Sequence, residues 1–312
     1  EYTMTPAVML SDYVLPAAGW LERVQVWGTN GGGPAISGVA LTGEAAIEPL
    51  YERRDNYAFW RSLAEGTFEK EEFEKYWPWK DSEEANDFMV EPLGVKSADT
   101  VGKPVFCPSP DKWHELTDPQ TGELYGFGTP TGKVEIYSTI LEKLFSEDEA
   151  IPYYEEPFES PVSTPELAAE YPLILTAGSR FMPYYHSEYR QVKGCRERYP
   201  DPYFQIHPET AANHGIGDGM WCWIETLRGK CLQRAKLDSG IMPQVVSAQH
   251  GWWFPELPEE DPWLGGWFIS NINMCTDNAV ENCCKLSGVY NMKLAQCKVY
   301  KAAEAPFNTF TK

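Results

Sequence analysis

Residues 171–190 read YPLILTAGSRFMPYYHSEYR, and this stretch decides the fold. It begins with a short apolar run, LILTA, which favours a buried β-strand. The run leads directly into Gly178, Ser179 and Arg180, and a histidine follows at His186. If the strand led only into a hairpin, a turn would be enough at this point. Glycine, in addition, lets backbone N–H groups come close to a ligand, and the arginine side chain is a cation that can make two parallel hydrogen bonds to it. The pattern therefore indicates a strand that presents a binding loop.

Downstream of this stretch, short strand patterns alternate with turns. Residues 203–206 are typical of a strand, and Pro208 begins a short helix that Gly215 is suited to end. An Asp-Gly turn opens MWCWIETL, an Arg-Gly turn leads back into KCLQRAKL, and a strand QVVSA follows. Short strands joined by glycine turns, with one short helix, favour a compact β-barrel.

The part of the chain before residue 165 mixes helix and strand patterns. Residues 12–18, DYVLPAA, predict a buried strand, and 129–138, TPTGKVEIYS, predict a turn followed by a strand with alternating apolar residues. Residues 55–65 and 67–77 predict helices. The acidic, proline-rich residues 142–170 predict a linker or a surface-hugging connection. The sequence thus predicts an α/β segment followed by a β-barrel.

Composition limits the classes of partner. The chain has 312 residues and a formal net charge of −20, which argues against nonspecific binding to nucleic acid. An anionic ligand must therefore be held by local groups. The eight cysteines include no CxxC pair, so we expect buried thiols and no metal site. No apolar run is long enough for a membrane span, and the start, which lacks methionine, suggests an internal cut.

Several segments, in order, resemble the C-terminal part of one family. They are TPAVMLSDYVLPAAGWLE, TPTGKVEIYS, YPLILTAGSR with YYHSEYR, YFQIHPETAANHGIGDGMWCWIETLRGK, RAKLDSGIMPQVVSAQHGWWFPE, SNINMCTDN and CKVYK. The family is that of the molybdopterin oxidoreductases related to dimethyl sulfoxide reductase. Its members carry molybdenum or tungsten on two pterin guanine dinucleotides (bis-MGD). HGWWFPE and CKVYK most resemble the anaerobic members, among them the thiosulfate reductases, acetylene hydratase and the catechol dehydroxylases.

The resemblance implies two domains. Residues 1–165 would be the last segment of the split α/β domains that surround the metal, with the acidic linker at its end. Residues 166–312 would be the dinucleotide-binding domain, a six-stranded double-psi β-barrel. This agrees with the α/β and barrel patterns found independently in the sequence.

The resemblance also implies the cofactor contacts, against which plainer roles are open. Gly178 to Arg180 could be a simple turn, His186 a loop histidine, Trp252 a packing residue, and SNINMCTDN a polar turn. The implied cofactor-binding residues are Thr176, Gly178, Ser179, Arg180, His186, Ser187, His250, Gly251, Trp252, Asn271, Asn273, Thr276, Lys293 and Gln296.

The family places its metal ligand and its [4Fe-4S] cluster upstream of the part that this chain resembles. No residue here is therefore assigned a catalytic or metal-ligating role, and the isolated chain is expected to be inactive. The implied partners are the remainder of the same polypeptide and an iron–sulfur electron-transfer subunit, with no direct membrane insertion. Location would be the prokaryotic cytoplasm, or export by a twin-arginine signal outside this sequence.

Two other classes of function remain open from the sequence. A free-standing barrel that recruits a ligand without redox chemistry would lack an upstream cysteine cluster in its gene. A hydrolase would need a nucleophile with its base, and no G-x-S-x-G or H-E-x-x-H pattern supplies one.

Overall fold

The structure is a computed structural model, and it describes residues 1–28, 39–106, 113–260, 264–290 and 294–303. The chain forms two units. The first comprises Glu1–Tyr2 and Tyr13–Tyr153, and the second comprises Thr3–Asp12 and Tyr154–Lys312.

Helices are short in both units. In chain order they are α1 (Pro6–Met9), α2 (Asn56–Thr67), α3 (Lys70–Tyr76), α4 (Ser82–Val90), α5 (Thr139–Leu144), α6 (Pro165–Ala168), α7 (Lys193–Arg198), α8 (Pro208–Asn213) and α9 (Trp267–Ser270). None of the helices within the described residues has the length and apolar character needed to cross a bilayer.

The first unit contains a three-stranded antiparallel sheet in the order β1 (Gln25–Gly28), β2 (Val39–Gly43), β3 (Val105–Phe106). Both helices predicted before residue 78 are confirmed as α2 and α3. The carboxylate of Asp55 caps α2 by accepting the N–H of Ala58 at 3.0 Å. This bond satisfies one of the backbone donors that a helix leaves unpaired at its N-terminus.

Two strands predicted in the first unit are wrong. Residues 12–18 form only one isolated bridge, Ala17 to Arg54, and Tyr13 is 88% exposed. Residues 129–138 form turns instead of a strand. Within these turns the carboxylate of Glu135 accepts hydrogen bonds from the hydroxyls of Thr131 at 2.9 Å and Thr139 at 3.1 Å. Neither segment gains the neighbouring strand, within the described residues, that a β-ladder requires.

The second unit contains a closed six-stranded barrel, as predicted. Its strands are β4 (Leu173–Ser179), β5 (Tyr203–Ile206), β6 (Trp221–Glu225), β7 (Lys230–Leu237), β8 (Val245–Gln249) and β9 (Ala295–Lys301). Around the barrel they lie in the order β4-β8-β5-β7-β6-β9. The pairs β4/β8 and β5/β7 are parallel, and the other four are antiparallel.

Alternate side chains of these strands fill the barrel, because successive residues of a strand point to opposite faces. Phe204, Ile206, Ile224 and Val246 are fully buried in this core. Four cysteines lie there as well, namely Cys222, Cys231, Cys275 and Cys297. Burial raises the pKa of the Cys222 thiol to about 11, so it packs as a small apolar group.

The acidic segment before the barrel is anchored to it by one buried carboxylate. Glu159 is 3% exposed and accepts the backbone N–H of Gln296 at 2.6 Å. Its other oxygen accepts from Arg228 at 2.5 Å, and the same guanidinium reaches Asp277 at 3.0 Å. The N–H of Ala279 and the side chains of Asn282 and Arg228 hold the pKa of Asp277 below its usual value.

Candidate cofactor-binding site

The candidate site lies where β4 and β8 end. These strands run parallel, with Thr176 opposite Ser247 and Ser179 opposite Gln249, so their C-terminal ends meet at one edge of the barrel. The pairing is irregular at Gly178, whose φ is +105°. Ligands of open α/β sheets also bind beyond the carboxyl ends of strands. We call residues 180–191 the β4 exit loop and residues 250–257 the β8 exit loop.

The two exit loops are joined by three contacts. His186 Nδ1 lies 2.9 Å from His250 Nε2, a distance at which one imidazole donates and the other accepts. The indole N–H of Trp253 donates to the carbonyl of Ser187 at 2.8 Å. A Cβ on Gly251, which has φ +70°, would lie 2.6 Å from the carbonyl oxygen of His186. Only glycine fits at residue 251, so the loops are held in one arrangement.

The exposed side chains of the β4 exit loop include the apolar Met182 and the aromatic Tyr185, 78% and 50% exposed, as well as polar residues. Arg180 is exposed, and its guanidinium lies over the ring of Tyr185 at 5.0 Å from the ring centroid. His186 is also exposed and has a φ of +46°. A Cβ on Gly178 would meet nothing within 4 Å, so the backbone beside it is open to a ligand. This exposed surface combines an arginine with accessible backbone and imidazole groups.

The inner side of the loops is an aromatic stack. Trp252 is fully buried and meets Tyr184 edge to face at 5.4 Å. The hydroxyl of Tyr184 donates to the carbonyl of Tyr199 at 2.6 Å, and burial raises the pKa of Tyr184 to about 12. Trp252 was predicted as a cofactor contact, with packing as the alternative. The structure gives it a packing environment, and a cofactor contact by Trp252 stays a prediction.

Sequence reasoning missed Arg190 in this stack. It is 1% exposed, and its guanidinium carbon lies 4.5 Å from the ring centroid of Tyr184 and 5.1 Å from that of Trp252. Burial is the main cause that lowers the pKa of Arg190 to about 10, and nearby Arg196 lowers it further. The available signal was its position at the end of YYHSEYR, directly after a tyrosine-rich run.

The predicted loop SNINMCTDN backs the β8 exit loop through Asn271. This residue is fully buried, donates to the carbonyl of Trp252 at 3.3 Å and accepts the N–H of Asn273 at 3.0 Å. Its amide is therefore used within the protein. Asn273 is exposed, and the hydroxyl of Thr276 donates to the carbonyl of Asn273 at 3.3 Å. Of this set, Asn273 is the residue with the most accessible side chain.

Four predicted residues lie apart from the exit loops or outside the described atoms. Thr176, within β4, lines an open groove of about 340 Å³ together with Gln205, Asp238 and Ser247. Gln296, within β9, is 1% exposed, and its side-chain oxygen accepts from Thr164 at 3.3 Å. Lys293 and the side chain of Ser179 lie outside what the structure describes.

Within the described residues, no group of three or more His, Cys, Asp or Glu side chains is placed to hold a metal ion. The groups present at the site are arginine, imidazole and backbone N–H, and these can recognise an anionic or hydrogen-bonding ligand.

Comparison with known proteins relates the chain to a family. Residues 173–292 match the model described as "Molydopterin dinucleotide binding domain". The chain is 37% identical to acetylene hydratase of Syntrophotalea acetylenica, over 81% of this chain and 32% of that protein. It is 39% identical to dopamine dehydroxylase of Eggerthella lenta, over 59% of this chain and 18% of that protein.

A solved structure agrees with these matches. The fold is similar to that of acetylene hydratase from Pelobacter acetylenicus, with a TM-score of 0.81 and 33% identity over 96% of this chain and 39% of that one. The chain spans about a third or less of the length of the curated relatives named above. The chain contains the dinucleotide-binding domain of these proteins and corresponds to their C-terminal portion. Because the barrel, the motifs and the relatives agree, the chain belongs to the molybdopterin oxidoreductase family related to dimethyl sulfoxide reductase.

Proposed function

We propose that the exit loops hold one pterin guanine dinucleotide of a bis-MGD cofactor that carries molybdenum or tungsten. The observation that carries this proposal is the joining of the loops at Gly251 and His186, which leaves Arg180 and His186 exposed on one face. A preformed, rigid pair of loops lowers the entropy that a ligand loses on binding.

The residues on this face fit the proposed group. A pyrophosphate carries negative charge, and Arg180 is a cation without an ion pair among the described residues. Since the chain as a whole carries −20, such a local cation is needed to hold an anion. A pterin edge both donates and accepts hydrogen bonds, as do the imidazoles and the backbone near Gly178.

When bound, the metal and its dithiolene sulfurs supply the redox chemistry. The role of this chain is to bind and orient. Arg180 would pair with an anionic oxygen, and His186, oriented by its bond to His250, would present one ring nitrogen to the ligand. Trp252 and Tyr184 support the loops from the inner side by packing.

We further propose that the intact protein is an enzyme of the anaerobic reductase and dehydrogenase type. The metal ligand and a [4Fe-4S] cluster would come from the remainder of the same polypeptide, and an iron–sulfur subunit would exchange electrons with it. The chain alone would then be inactive. The name of one relative, dopamine dehydroxylase, supports this class, whereas the name of the other, acetylene hydratase, denotes the addition of water.

The test is retention of the nucleotide by exit-loop variants of the natural-length protein. The protein is dialysed at a protein concentration near the dissociation constant, and the guanine nucleotide that remains per protein is measured. We expect Arg180→Gln to retain less nucleotide than the wild type, because loss of one charge-assisted hydrogen bond lowers the affinity about tenfold. His186→Gln should lower it as well. Arg198→Gln, which changes an exposed arginine on α7 of the same unit, is the matched control. Equal nucleotide in all three variants and the wild type would place the ligand elsewhere.

A further inference from the structure

The turn that joins β6 to β7, residues 226–229, lies at the same edge of the barrel as the exit loops. β8 ends at this edge, and β5 pairs antiparallel to β8, so β5 begins there. β7 runs parallel to β5 and therefore also begins at this edge, where the turn connects it to the end of β6. The sequence predicts only a chain reversal here, yet the turn lies at the edge that carries the candidate site.

The β6–β7 turn contacts the backbone of residues 271–277, which we call the 271–277 loop. A Cβ on Gly229 would lie 2.6 Å from the carbonyl oxygen of Met274, so this close approach requires glycine. The hydroxyl of Thr226, which is 2% exposed, donates to the carbonyl of Cys275 at 3.0 Å. Both contacts fix the backbone directly after Asn273.

The side chain of Arg228 adds a third contact further along the loop. Its Nη2 donates to the carboxylate of Asp277 at 3.0 Å, and its Nη1 donates to the buried carboxylate of Glu159. A planar guanidinium bound at two of its nitrogens has a fixed orientation. Arg228 therefore holds the 271–277 loop to the barrel.

Asn273 is held from its other side by the β8 exit loop. Asn271 donates to the carbonyl of Trp252 at 3.3 Å and accepts the N–H of Asn273 at 3.0 Å. Ile272 and Cys275 are fully buried, whereas Asn273 is exposed. Its carboxamide can donate and accept hydrogen bonds, as the edge of a guanine or a pterin does. A side chain on a backbone fixed at both sides loses little freedom when a ligand binds.

We propose that the β6–β7 turn positions Asn273 to contact the guanine dinucleotide. Thr226, Arg228 and Gly229 are then positioning residues, which act on the ligand only through the 271–277 loop. The inference rests on the proposed function of the exit loops and adds a further part of the barrel to it. A change in the turn should therefore alter nucleotide binding only while the side chain of Asn273 is present.

The test is a double-mutant cycle on the natural-length protein, with the rate of guanine nucleotide loss as the readout. Protein that carries the cofactor is incubated and desalted at intervals, and the guanine nucleotide that acid hydrolysis releases from it is measured. We expect Gly229→Ala to raise the rate of loss about fivefold, the equivalent of one hydrogen bond to the ligand. In the Asn273→Ala background, the same substitution should change the rate by less than about twofold.

Gly194→Ala, on α7 of the same unit, is the matched control. A Cβ on Gly194 would meet nothing within 4 Å, and neither Gly194 nor Gly229 has a φ in the left-handed range, so the two variants differ in the contact with Met274. We expect Gly194→Ala to lose nucleotide at the rate of the wild type.

The cycle separates positioning from a general loss of stability. A turn that only stabilises the barrel would raise the rate by the same factor in both backgrounds, and this result would overturn the inference while the function of the exit loops stands. An unchanged rate in Asn273→Ala would overturn it as well. Wild-type protein without guanine nucleotide would overturn the proposed function and this inference with it.

If Gly229→Ala does not fold, Thr226 supplies a milder pair of variants. Thr226→Val removes the hydroxyl that donates to Cys275 and should raise the rate of loss, whereas Thr226→Ser keeps the hydroxyl and should restore the wild-type rate. Equal rates in these two variants would overturn the inference.

Discussion

Replacing Gly251 with alanine tests whether the two exit loops are held by one close backbone approach. The new methyl group would lie 2.6 Å from the carbonyl oxygen of His186, 2.7 Å from its carbonyl carbon and 3.1 Å from the N–H of Ser187. All three atoms belong to backbone, so no flexible side chain can move aside. The β8 exit loop must therefore shift away from the β4 exit loop.

Two costs add in this variant. Alanine at a φ of +70° costs about 1–2 kcal/mol, because its Cβ crowds the backbone in the left-handed region. Overpacking against fixed atoms costs about 1–3 kcal/mol more. Gly215→Ala separates the two terms, since Gly215 has a φ of +65° and its Cβ would meet nothing within 4 Å. We expect a loss of about 2–5 kcal/mol for Gly251→Ala and about 1–2 kcal/mol for Gly215→Ala.

The assay is chemical denaturation followed by tryptophan fluorescence, together with nucleotide retention. Gly251→Ala should unfold at lower denaturant than Gly215→Ala and should also lose guanine nucleotide, because His186 would move. Gly215→Ala should retain the nucleotide. Equal destabilisation by both variants, with equal nucleotide, would refute the close approach as the element that orders the site.

Three further predictions concern buried groups. Glu159→Gln should lower the free energy of unfolding, measured by urea denaturation, by about 3 kcal/mol. The substitution removes the buried negative charge that pairs with the guanidinium of Arg228. The exposed Glu197→Gln should change it by less than about 1 kcal/mol, and similar values for both would contradict this ranking. The free energy of unfolding of the wild type minus that of Tyr184→Phe should be constant below pH 10 and should fall by about 2–3 kcal/mol as the pH rises to 12. The reason is that Tyr184 ionises at a lower pH in the unfolded chain than in the folded protein. No change over this range would contradict the raised pKa. Among the described cysteines, a thiol reagent should label the exposed Cys284 first, and the barrel thiols should react only on unfolding.

The barrel could be predicted from sequence because its strands are marked locally. LILTA and KCLQRAKL became β4 and β7, and glycine turns lie where the chain reverses. The same signals failed at residues 129–138, where Val134 and Ile136 are 66% and 80% exposed. Alternation of apolar residues predicts a strand only where a neighbouring strand pairs with it, and that pairing is not visible in a local pattern.

The site could be predicted in part for the same reason. His186 and His250 were implied by the resemblance to the family, each in a segment that follows a strand, and the structure brings those two side chains together. Glu159 was placed in a linker because its contacts with Gln296 and Arg228 span 137 and 69 residues. Arg190 was missed because a buried unpaired cation cannot be distinguished from a surface arginine without its surroundings.

The central claim is that this barrel holds a guanine dinucleotide of a metal-bearing pterin cofactor. The most direct measurement is the metal content of the natural-length protein, made in cells able to assemble the cofactor, together with guanine nucleotide released by acid hydrolysis. We expect molybdenum or tungsten with about two guanine nucleotides per metal, the ratio implied by two dinucleotides on one metal. Protein that contains neither metal nor nucleotide would contradict the claim and would favour a barrel that binds another ligand through the same exit loops.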